Sequence, residues 1–553
     1  MDPRSLSRFR LRFALSAALL CVATLGAPVG ADRVSLAMSE PVFGELAVPE
    51  DEMSAATRAD LQAATAANIA RLEAAGRPVR AKFGGDVLFR TPIKLTDGHP
   101  DRDTYLISNY VDEDPGFPDQ LQDWNCGTRT YDLPSGYNHR GTDFATWPFA
   151  WRKMAQGETV AVAAASGTIV NKQDGNFDQS CALNGNPANF IFVRHDDGSV
   201  AWYLHLKSGS LTAKGIGDPV AVGEYLGIVG SSGSSTAPHL HFELYDSGNQ
   251  LVDPFAGACN RRGTPSRWLQ QEPYYVSRIN HLATSDAPPE FPACPGVEVP
   301  HFQQYFVEGQ VVYAVGYFRD LKRGGVPVWN IYQPDGSVFF TGAIDTTTRL
   351  TRDVDGSAFF YYTVTLPAGA PAGEWTFEIV YLGASYRTPF YVGAAEPPRV
   401  TAVEYYAPSL DHYFITAFPE EQAALDRGVP VAGWQRTGVA FPAYAGPGAR
   451  SLPPACRFFG TPGLGVNSHF YTVIPAECSV VKLNPGWTFE ANAFNLASPA
   501  VGLCPDGTRP LYRMYNNGMR ASPNHRYVTD LAQASGMTAA GWLLEGTAMC
   551  LPQ

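Results

Sequence analysis

Cysteine pairs spaced for metal binding or dithiol exchange are absent from this 553-residue chain, because none of its nine cysteines forms a C-x-x-C motif. A zinc site built from thiolates and a thioredoxin-like redox centre are therefore poorly supported. Basic residues are also in the minority, with 41 Lys and Arg against 53 Asp and Glu, and the formal net charge is −12. Nonspecific attraction to nucleic acid or anionic lipid needs the opposite sign of charge, so we expect no nucleic-acid partner.

The apolar run at the N-terminus is too short to cross a membrane. It extends from residue 13 to about residue 25, whereas a spanning helix needs about 20 apolar residues. Arginines precede the run at positions 4, 8, 10 and 12, and small residues follow it up to Ala31. This three-part pattern is typical of a secretory signal peptide. We expect residues 1–31 to be removed, leaving a secreted or periplasmic protein with no stable membrane anchor.

Eight cysteines remain after removal of that segment, and an even number in an exported chain favours disulfides. Four of them lie between residues 126 and 294, and four lie between residues 456 and 550. The sequence leaves their connectivity open, although pairing within each group is the simplest arrangement.

The length and the turn-forming residues predict a mainly β, multidomain protein. A chain of this size is too long for one ordinary core, and its 53 Gly and 44 Pro point to many turns between short strands. Strand-like runs predict an antiparallel β domain over residues 82–265 and an immunoglobulin-like sandwich over residues 295–395. A third β-rich domain is expected over residues 400–553.

The segment that follows the signal peptide, residues 32–81, contains a predicted helix. From residue 49 to residue 76 it is rich in Ala, Leu, Glu and Arg, with apolar residues at roughly helical spacing. Two interpretations are open: an inhibitory propeptide segment, or a helix that packs on the following domain or leads into it. We favour the second interpretation at this stage.

Three similar segments make up the last 150 residues. Each contains a histidine followed by aromatic residues and then a Gly-Trp pair, and the histidines are His412, His469 and His525. Repeats of this length predict a pseudo-threefold body, trefoil-like or related. No carboxylate or second histidine recurs at ligand spacing beside them, so we expect each histidine to form a hydrogen bond in the core of its unit.

Histidine motifs of a different kind cluster in the 82–265 domain, which holds His139, Asp143, His205, His239 and His241. Alternate residues of a strand point to the same face, so His239 and His241 of the H-x-H motif are expected to project together. Two imidazoles and one carboxylate can bind zinc and leave a fourth position for water, as in catalytic zinc sites.

The same alternation makes predictions for the neighbouring residues. Leu240, between the two histidines, should face the core, and Tyr203 and His205 should share one face of their strand. Trp202, Leu204 and Leu206 would then form the apolar opposite side.

Residues 135–255 resemble the M23 (LytM or lysostaphin-type) zinc metallopeptidases. The H-x-x-x-D motif followed by H-x-H is the mark of that family, and the strand-like runs between these motifs follow the family's order. The resemblance implies one Zn²⁺ per chain, with His139, Asp143 and His241 as ligands. The catalytic residues His205 and His239 would then face the substrate unligated and share the proton transfers to and from zinc-activated water.

Three further expectations complete this assignment. Glu243 is expected to support His241 rather than bind the metal. His195, in a turn-like H-D-D-G, is expected to be structural. Residues 171–189 should form an enlarged loop at the rim of the substrate groove.

The resemblance implies an exported zinc metalloendopeptidase whose partners are the peptides of bacterial peptidoglycan. The C-terminal repeats resemble a domain of unknown function on exported bacterial proteins, and a cell-envelope ligand is the partner expected for them. Two alternatives come from other functional classes: a non-catalytic LytM-like activator of another wall hydrolase, and a wall-binding or glycan-binding protein that acts through its repeats. Retention of all five metal-site residues argues against the first alternative.

Overall fold

The computed structural model describes residues 52–77, 85–96, 101–261, 265–393, 396, 398–428, 433–446, 452–461, 466–505, 507–519 and 523–553. The expected signal peptide lies outside these residues. The described part of the chain is mainly β and multidomain, as predicted. None of its helices is long and apolar enough to span a membrane.

The first domain is built around an antiparallel sheet with one helix before it. Its elements are α1 (Ala55–Ala74), β1 (Ile93–Leu95), β2 (Tyr105–Asn109), β3 (Thr142–Thr146), α2 (Ala150–Gln156), β4 (Thr159–Val162), β5 (Gly167–Gln173), β6 (Phe190–His195), β7 (Val200–Leu204), β8 (Pro219–Val220), β9 (Tyr225–Ile228), β10 (His239–Tyr245) and β11 (Leu251–Val252). The main sheet has the order β2-β3-β10-β7-β6-β5-β8, with β11 paired to β10, and β1-β4-β9 form a smaller sheet.

Strand β10 lies inside the main sheet, and its two faces have different neighbours. Leu240, Phe242 and Leu244 belong to the main apolar core of the domain, as the period of two residues in a strand requires. His239, His241 and Glu243 alternate with them. The predicted orientation of Leu240 is thus confirmed.

Helix α1 falls within the stretch where the sequence predicts a helix, and it packs on the domain. Leu61, Ile69 and Leu72 contact a second apolar cluster that includes Phe192 and Trp202. The side chain of Ser54 caps the helix by accepting a hydrogen bond from the backbone N–H of Thr57. The helix therefore covers the sheet face that also presents His241.

The second domain is a sandwich of two sheets. Its strands are β12 (Arg278–Ser285), β13 (Tyr305–Phe306), β14 (Val311–Lys322), β15 (Val328–Tyr332), β16 (Val338–Ala343), β17 (Val354–Thr365), β18 (Gly373–Tyr381) and β19 (Ala384–Val392). Strands β12-β14-β17 form one sheet and β13-β19-β18-β15-β16 the other. Buried aromatic residues such as Phe318, Trp329 and Trp375 fill the space between them. The sandwich takes in β12, which precedes residue 295, the start expected from the sequence.

An apolar interface joins the sandwich to the first domain. Trp147 and Phe149 pack against Tyr317 and Phe359, and the indole N–H of Trp147 donates to the backbone carbonyl of Phe318 at 3.0 Å. The two domains therefore meet through buried side chains rather than through a linker alone.

The third domain consists of three units of similar structure. Its elements are β20 (Arg399–Ala407), β21 (His412–Thr416), α3 (Pro419–Asp426), β22 (Gln435–Tyr444), β23 (Pro454–Gly460), β24 (His469–Thr472), α4 (Pro475–Lys482), β25 (Trp487–Asn495), β26 (Thr508–Tyr515), β27 (His525–Val528), α5 (Leu531–Ala539) and β28 (Leu543–Pro552). Each unit has three antiparallel strands and a helix between the second strand and the third. The repeat is as predicted, but the sequence analysis did not predict the helices.

The histidines of the three units are not equivalent, which corrects the alignment made from the sequence. The matching strand pairs are Tyr406 with Tyr413, Phe459 with His469, and Tyr515 with His525. Tyr413, rather than His412, therefore corresponds to His469 and His525. The sequence alignment matched His412 to His469 and His525 because the residues are identical, although the turns before them differ in length. It therefore placed the first unit one position out of register. His412 instead lies with its Nε2 2.7 Å from Nδ1 of His469.

Ion pairs link successive units, and in each pair the later unit supplies the arginine and the earlier unit the glutamate. Arg457 of the second unit pairs with Glu421 of the first, and Arg513 of the third pairs with Glu477 of the second. The equivalent position in the first unit is Glu404, not an arginine. Its buried carboxylate pairs with Arg526 of the third unit at 2.9 Å. The contact between the third unit and the first thus has the opposite polarity.

Four disulfides hold these domains: Cys126–Cys259, Cys181–Cys294, Cys456–Cys478 and Cys504–Cys550. The predicted pairing within each group of four cysteines is confirmed. Cys181 lies in the loop 174–189, and its bond to Cys294 ties that loop to the connection between β12 and β13 of the sandwich. Disulfides of this number fit an oxidising compartment.

Candidate metal centre

Pairing of β3 with β10 brings the first two predicted ligands together. Asp143 lies directly opposite His241 in the register of the two strands, and its Oδ1 is 2.8 Å from Nδ1 of His241. His139, four residues before Asp143, places Nε2 3.1 Å from Oδ2 of Asp143 and 3.3 Å from Nδ1 of His241. The three donor atoms converge on one point, and all three side chains are buried.

Each of these side chains has a second contact that fixes its orientation. Nδ1 of His139 lies 2.7 Å from the backbone carbonyl of Tyr110, and Nε2 of His241 lies 3.0 Å from Oε1 of Glu243. The side-chain amide of Asn109 donates to Oδ2 of Asp143 at 2.9 Å. Contacts of this kind leave Nε2 of His139 and Nδ1 of His241 directed at a shared ligand.

This donor set fits a zinc ion. Two imidazole nitrogens and a carboxylate are a ligand set of catalytic zinc sites, and the donor atoms of His139, Asp143 and His241 all lie within 4.8 Å of one another. Burial alone would raise the pKa of Asp143, but the facing imidazoles of His139 and His239 outweigh it and hold that pKa well below its usual range. The carboxyl group is therefore ionised, as a metal ligand must be.

Glu243 lies behind His241, as predicted. Its other oxygen accepts hydrogen bonds from Arg58 of α1 and from the hydroxyl of Tyr245. Burial opposes ionisation, yet Arg58 and His241 lower the pKa of Glu243 to about 2. Glu243 is thus an anion that contacts the ring nitrogen of His241 that does not face Asp143.

His205 reaches the site in a way that the alternation of strand residues does not predict. Strand β7 ends at Leu204, and His205 has a φ of 64°, in the left-handed region that non-glycine residues seldom adopt. Tyr203 lies in the main core with Leu206, whereas Trp202 and Leu204 lie on the opposite face under α1. The prediction that Tyr203 and His205 share a face is therefore wrong, because the backbone turns at His205.

His205 and His239 lie side by side, with ring centroids 4.5 Å apart. Nδ1 of His205 is 2.6 Å from the carbonyl of Ser232, and Nδ1 of His239 is 2.8 Å from the carbonyl of Ala237. A carbonyl oxygen only accepts hydrogen bonds, so Nδ1 of each ring holds a proton and donates it. Nε2 of His205 faces the carboxylate of Glu52, with Oε1 2.9 Å away. Nε2 of His239 lies 3.6 Å from Oδ1 of Asp143.

Three residues of the site carry no sequence motif and were missed by the sequence analysis: Glu52, Tyr131 and Tyr137. The hydroxyls of the two tyrosines donate to Oε2 of Glu52 at 2.8 and 2.6 Å. Burial and the Glu52 carboxylate raise the pKa of both tyrosines well above its usual range, so both hydroxyls stay protonated. Tyr131 and Tyr137 flank the H-x-x-x-D motif on its N-terminal side, and that proximity is the only signal the sequence offers for them.

A groove of about 690 Å³ begins at the metal centre and extends to the sandwich. Asp143, His239 and Tyr131 line its inner end, and Leu183 lies at its rim. The loop predicted over residues 171–189 starts three residues later, because residues 171–173 belong to β5. The opposite wall comes from the sandwich, from residues 352–357 at the start of β17. The sequence offered no sign that the second domain contributes to this groove.

The remaining histidines singled out from the sequence lie elsewhere. His195 is buried with Nδ1 3.0 Å from the carbonyl of Ser166 and packs edge-on against Phe89. Burial lowers its pKa, so it is neutral in the folded protein. Among the described residues, the groups that could hold a metal ion are confined to the centre around His241.

Comparisons with known proteins match two parts of the chain. Residues 137–254 match the model of peptidase family M23, and residues 401–552 match a domain of unknown function, DUF5648. A 120-residue stretch, 22% of this chain, is 36% identical to DD-carboxypeptidase/endopeptidase Mpg of Neisseria meningitidis serogroup B and covers 23% of that protein. Another of 123 residues, also 22% of this chain, is 34% identical to glycyl-glycine endopeptidase ALE-1 of Staphylococcus capitis and covers 29% of it.

A solved structure also matches part of the chain. The catalytic domain of lysostaphin from Staphylococcus simulans is 29% identical, and the match covers 23% of this chain and 83% of that domain, with a TM-score of 0.17. The chain thus spans only about a quarter of the length of the curated relatives described above. Residues 137–254, with the three converging donors and the paired imidazoles, belong to peptidase family M23.

Proposed function

We propose that this protein is an exported zinc metalloendopeptidase that hydrolyses peptide bonds in bacterial peptidoglycan. The observation that carries the proposal is the convergence of His139, Asp143 and His241 beside two anchored imidazoles at the end of a groove. The relatives named as endopeptidases, Mpg and ALE-1, support the reaction class. A peptidoglycan DD-endopeptidase of Vibrio cholerae, ShyC, is 30% identical over 110 residues and supports the substrate class.

In this proposal one Zn²⁺ per chain is held by Nε2 of His139, a carboxylate oxygen of Asp143 and Nδ1 of His241. When bound, the ion supplies Lewis acidity toward a peptide carbonyl and a water molecule. The contacts of His139 with the Tyr110 carbonyl and of His241 with Glu243 keep both rings aimed at the ion.

In this proposal His205 and His239 are the catalytic residues, and they transfer protons. Because Nδ1 of each ring is held by a backbone carbonyl, Nε2 can accept the proton of the attacking water and return it to the leaving amine. The hydroxyls of Tyr131 and Tyr137, which donate to Glu52 in this structure, would have to donate to the peptide carbonyl oxygen instead in order to stabilise the negative charge that develops on it. The groove between the first domain and the sandwich would hold the peptide on either side of the scissile bond.

The first experiment measures bound zinc together with peptide release from purified peptidoglycan. It compares the mature protein, a sample treated with chelator and the variant His239→Ala. Release that requires both zinc and His239 is the expected result. Stoichiometric zinc without release would point to inhibition by the N-terminal segment or to a different peptide substrate, and absence of zinc binding would favour the non-catalytic activator.

The ligand assignment has its own test. His241→Ala should lose zinc, because it removes one of three protein ligands, whereas His205→Ala should retain zinc and lose turnover by about 10²-fold or more. Zinc content by atomic absorption and peptide release are measured on the same samples. Loss of zinc from His205→Ala would contradict the assignment.

A further inference from the structure

A buried lysine and a buried aspartate lie in contact on the side of the first domain that faces the sandwich. Lys153 is on α2, and its Nζ is 2.6 Å from Oδ2 of Asp101, which precedes β2. The two side chains are only 2% and 4% exposed. Neither residue belongs to the metal centre or lines the groove beside it, so the function proposed above gives this pair no role.

The pair lies where the three domains meet, among aromatic side chains. Phe149 of the first domain, Phe302 of the sandwich and Gln553 of the third domain surround the same small cavity. Tyr317 of β14 is fully buried nearby, and burial together with the charge of Asp101 raises the pKa of Tyr317 well above its usual range. Bulk water therefore does little to hydrate the two charges of the pair.

The ammonium group of Lys153 is poorly satisfied in this position. Its Nζ has no hydrogen-bond partner among the described residues, because the close approach to Asp101 lacks the angles of a hydrogen bond. The other carboxylate nearby, Glu298, instead accepts from the backbone N–H groups of Trp151 and Arg152. Three buried N–H donors without acceptors cost free energy. A chemical step that removes both charges of the pair would relieve that cost.

His281 of the sandwich holds the second oxygen of Asp101. Its Nδ1 is 2.6 Å from Oδ1, and the pairing of β12 with β14 has a bulge just before this histidine, a feature that re-aims side chains. The backbone N–H of Arg102 donates to the carbonyl of Asn280 at 3.0 Å and keeps the two segments together. The carboxyl group of Asp101 is thus held by an imidazole at one oxygen and approached by an amine at the other.

The cavity beside the pair is the size of one water molecule. Asp101, Lys153 and His281 all line it, and its volume is about 10 Å³. A cavity needs about 10–15 Å³ to hold a water molecule. A reaction between Lys153 and Asp101 that released one water would therefore have a place for that product.

We propose that Lys153 and Asp101 condense to form an isopeptide bond, an amide between Nζ and Cγ, with release of one water molecule. A proton first passes from the ammonium to Oδ2, which gives an amine and a carboxylic acid. Nζ then attacks Cγ, while Nδ1–H of His281 donates to the negative charge that develops on Oδ1. The C–Oδ2 bond breaks, and this hydroxyl leaves as water with a second proton from Nζ. Oδ1 remains as the amide oxygen.

The reaction consumes no oxidant, cofactor or second molecule, since the fold itself brings the two groups together. Its product closes the chain between residues 101 and 153 into a covalent loop that contains His139 and Asp143. Such a link restricts the unfolded chain in the way that a disulfide does, but a thiol reductant does not break it. The inference does not depend on peptidase activity.

Mass spectrometry of the full chain, with its disulfides reduced, tests the inference. The unaltered chain is compared with Lys153→Arg and with the matched control Lys207→Arg, whose lysine donates to two backbone carbonyls of the same domain. We expect the unaltered chain and the control to be lighter by one water molecule than their sequences require, and Lys153→Arg to have its full sequence mass. A tryptic digest of the unaltered chain should contain residues 95–102 joined to residues 153–172.

The unaltered chain alone can decide the outcome, whether or not the variants fold. Full sequence mass in that chain would overturn the inference, and so would a loss of water that persists in Lys153→Arg, because the dehydration would then lie elsewhere. The part played by the imidazole is tested with His281→Gln, in which the linked fraction of newly made protein should rise at least tenfold more slowly. An unchanged rate in that variant would overturn the role given to His281.

Discussion

Gly141, in the middle of the motif from His139 to Asp143, lies against the ring of His241. A Cβ atom at this position would come within 2.6 Å of Nε2 of His241 and within 2.8 Å of the carbonyl oxygen of Phe242. Neither group can move freely, because one is the side chain of a proposed ligand and the other is strand backbone. The absence of a side chain at residue 141 is therefore a condition for the geometry of the metal centre.

We predict that Gly141→Ala lowers zinc affinity at least tenfold, since overpacking of this kind costs about 1–3 kcal/mol and acts directly on His241. The measurement is competition for zinc against a chromogenic chelator. Gly85→Ala is the control, because a Cβ at residue 85 meets nothing within 4 Å. Equal zinc affinity in both variants would show that the ring of His241 can shift without cost.

The residues of the site were predictable to the extent that they lie in short motifs. His139, Asp143, His239 and His241 are brought together by strand pairing and by the two-residue period, both of which can be inferred from local sequence. Glu52 lies 91 positions before Asp143, and no local pattern connects the two. Contacts between distant segments depend on the docking of whole elements, which a single sequence does not specify.

The end of β7 is the element that departs most from a regular pattern. Tyr203 packs in the main core, where its hydroxyl accepts a hydrogen bond from the backbone N–H of Ala164 at 2.8 Å. His205, two residues later, lies on the other side of the sheet because of its left-handed backbone. A strand continued regularly to residue 205 would have placed that imidazole in the core.

Tyr203→Phe tests this description. The change leaves the buried N–H of Ala164 without a partner, so we predict a loss of about 1–3 kcal/mol in the free energy of unfolding. Zinc content should be unchanged, because Tyr203 is on the face opposite His241. Chemical denaturation and zinc analysis are the two measurements, and loss of zinc without loss of stability would contradict the assigned faces.

At the scale of the whole molecule, the sandwich forms one wall of the groove beside the candidate metal centre rather than an appended module. Arg129 of the first domain pairs with the buried Asp320 of β14 at 2.8 Å, and Asp320 also accepts a hydrogen bond from the backbone N–H of Val276 at 2.8 Å. Together with the apolar interface around Trp147, this pair sets the distance between the two walls. The mainly β, multidomain class followed from composition, but this domain contact depends on complementary surfaces that composition does not specify.

We predict that Asp320→Asn destabilises the first two domains by about 3–5 kcal/mol, because it leaves the charge of Arg129 without its partner. If the protein is a peptidase, KM for the peptide should rise more than kcat falls, since the groove is altered and the metal centre is not. Differential scanning calorimetry measures the first effect and steady-state kinetics the second. Asp335→Asn, in an exposed turn of the same sandwich, is the control; an equal effect in that variant would contradict the prediction.

The third domain should lose stability as the pH falls. Burial, together with the neighbouring His469, lowers the pKa of His412 to about 3, and burial lowers the pKa of His525 to about 4. In the unfolded chain both groups titrate near 6.5, so between pH 6.5 and about 4 the unfolded state binds more protons than the folded state. The contribution of these two histidines to the free energy of unfolding is complete above pH 6.5. Below pH 6.5 each histidine loses about 1.4 kcal/mol of that contribution for every unit by which the pH falls.

Calorimetry of the full chain at pH 6.5 and pH 4.5 checks this prediction. The transition of the third domain should move to lower temperature at pH 4.5, and His412→Gln should reduce that shift. His301→Gln, at a partly exposed histidine of the sandwich, should leave the shift unchanged. A transition of the third domain that does not depend on pH would contradict the assigned burial.

The reversed ion pair between Glu404 and Arg526 determines how many units the third domain can have. A further unit placed between the third and the first would separate these two side chains and leave the carboxylate of Glu404, which is fully buried, without a cation. Insertion of a unit at this junction would therefore cost the free energy of leaving a buried carboxylate unpaired.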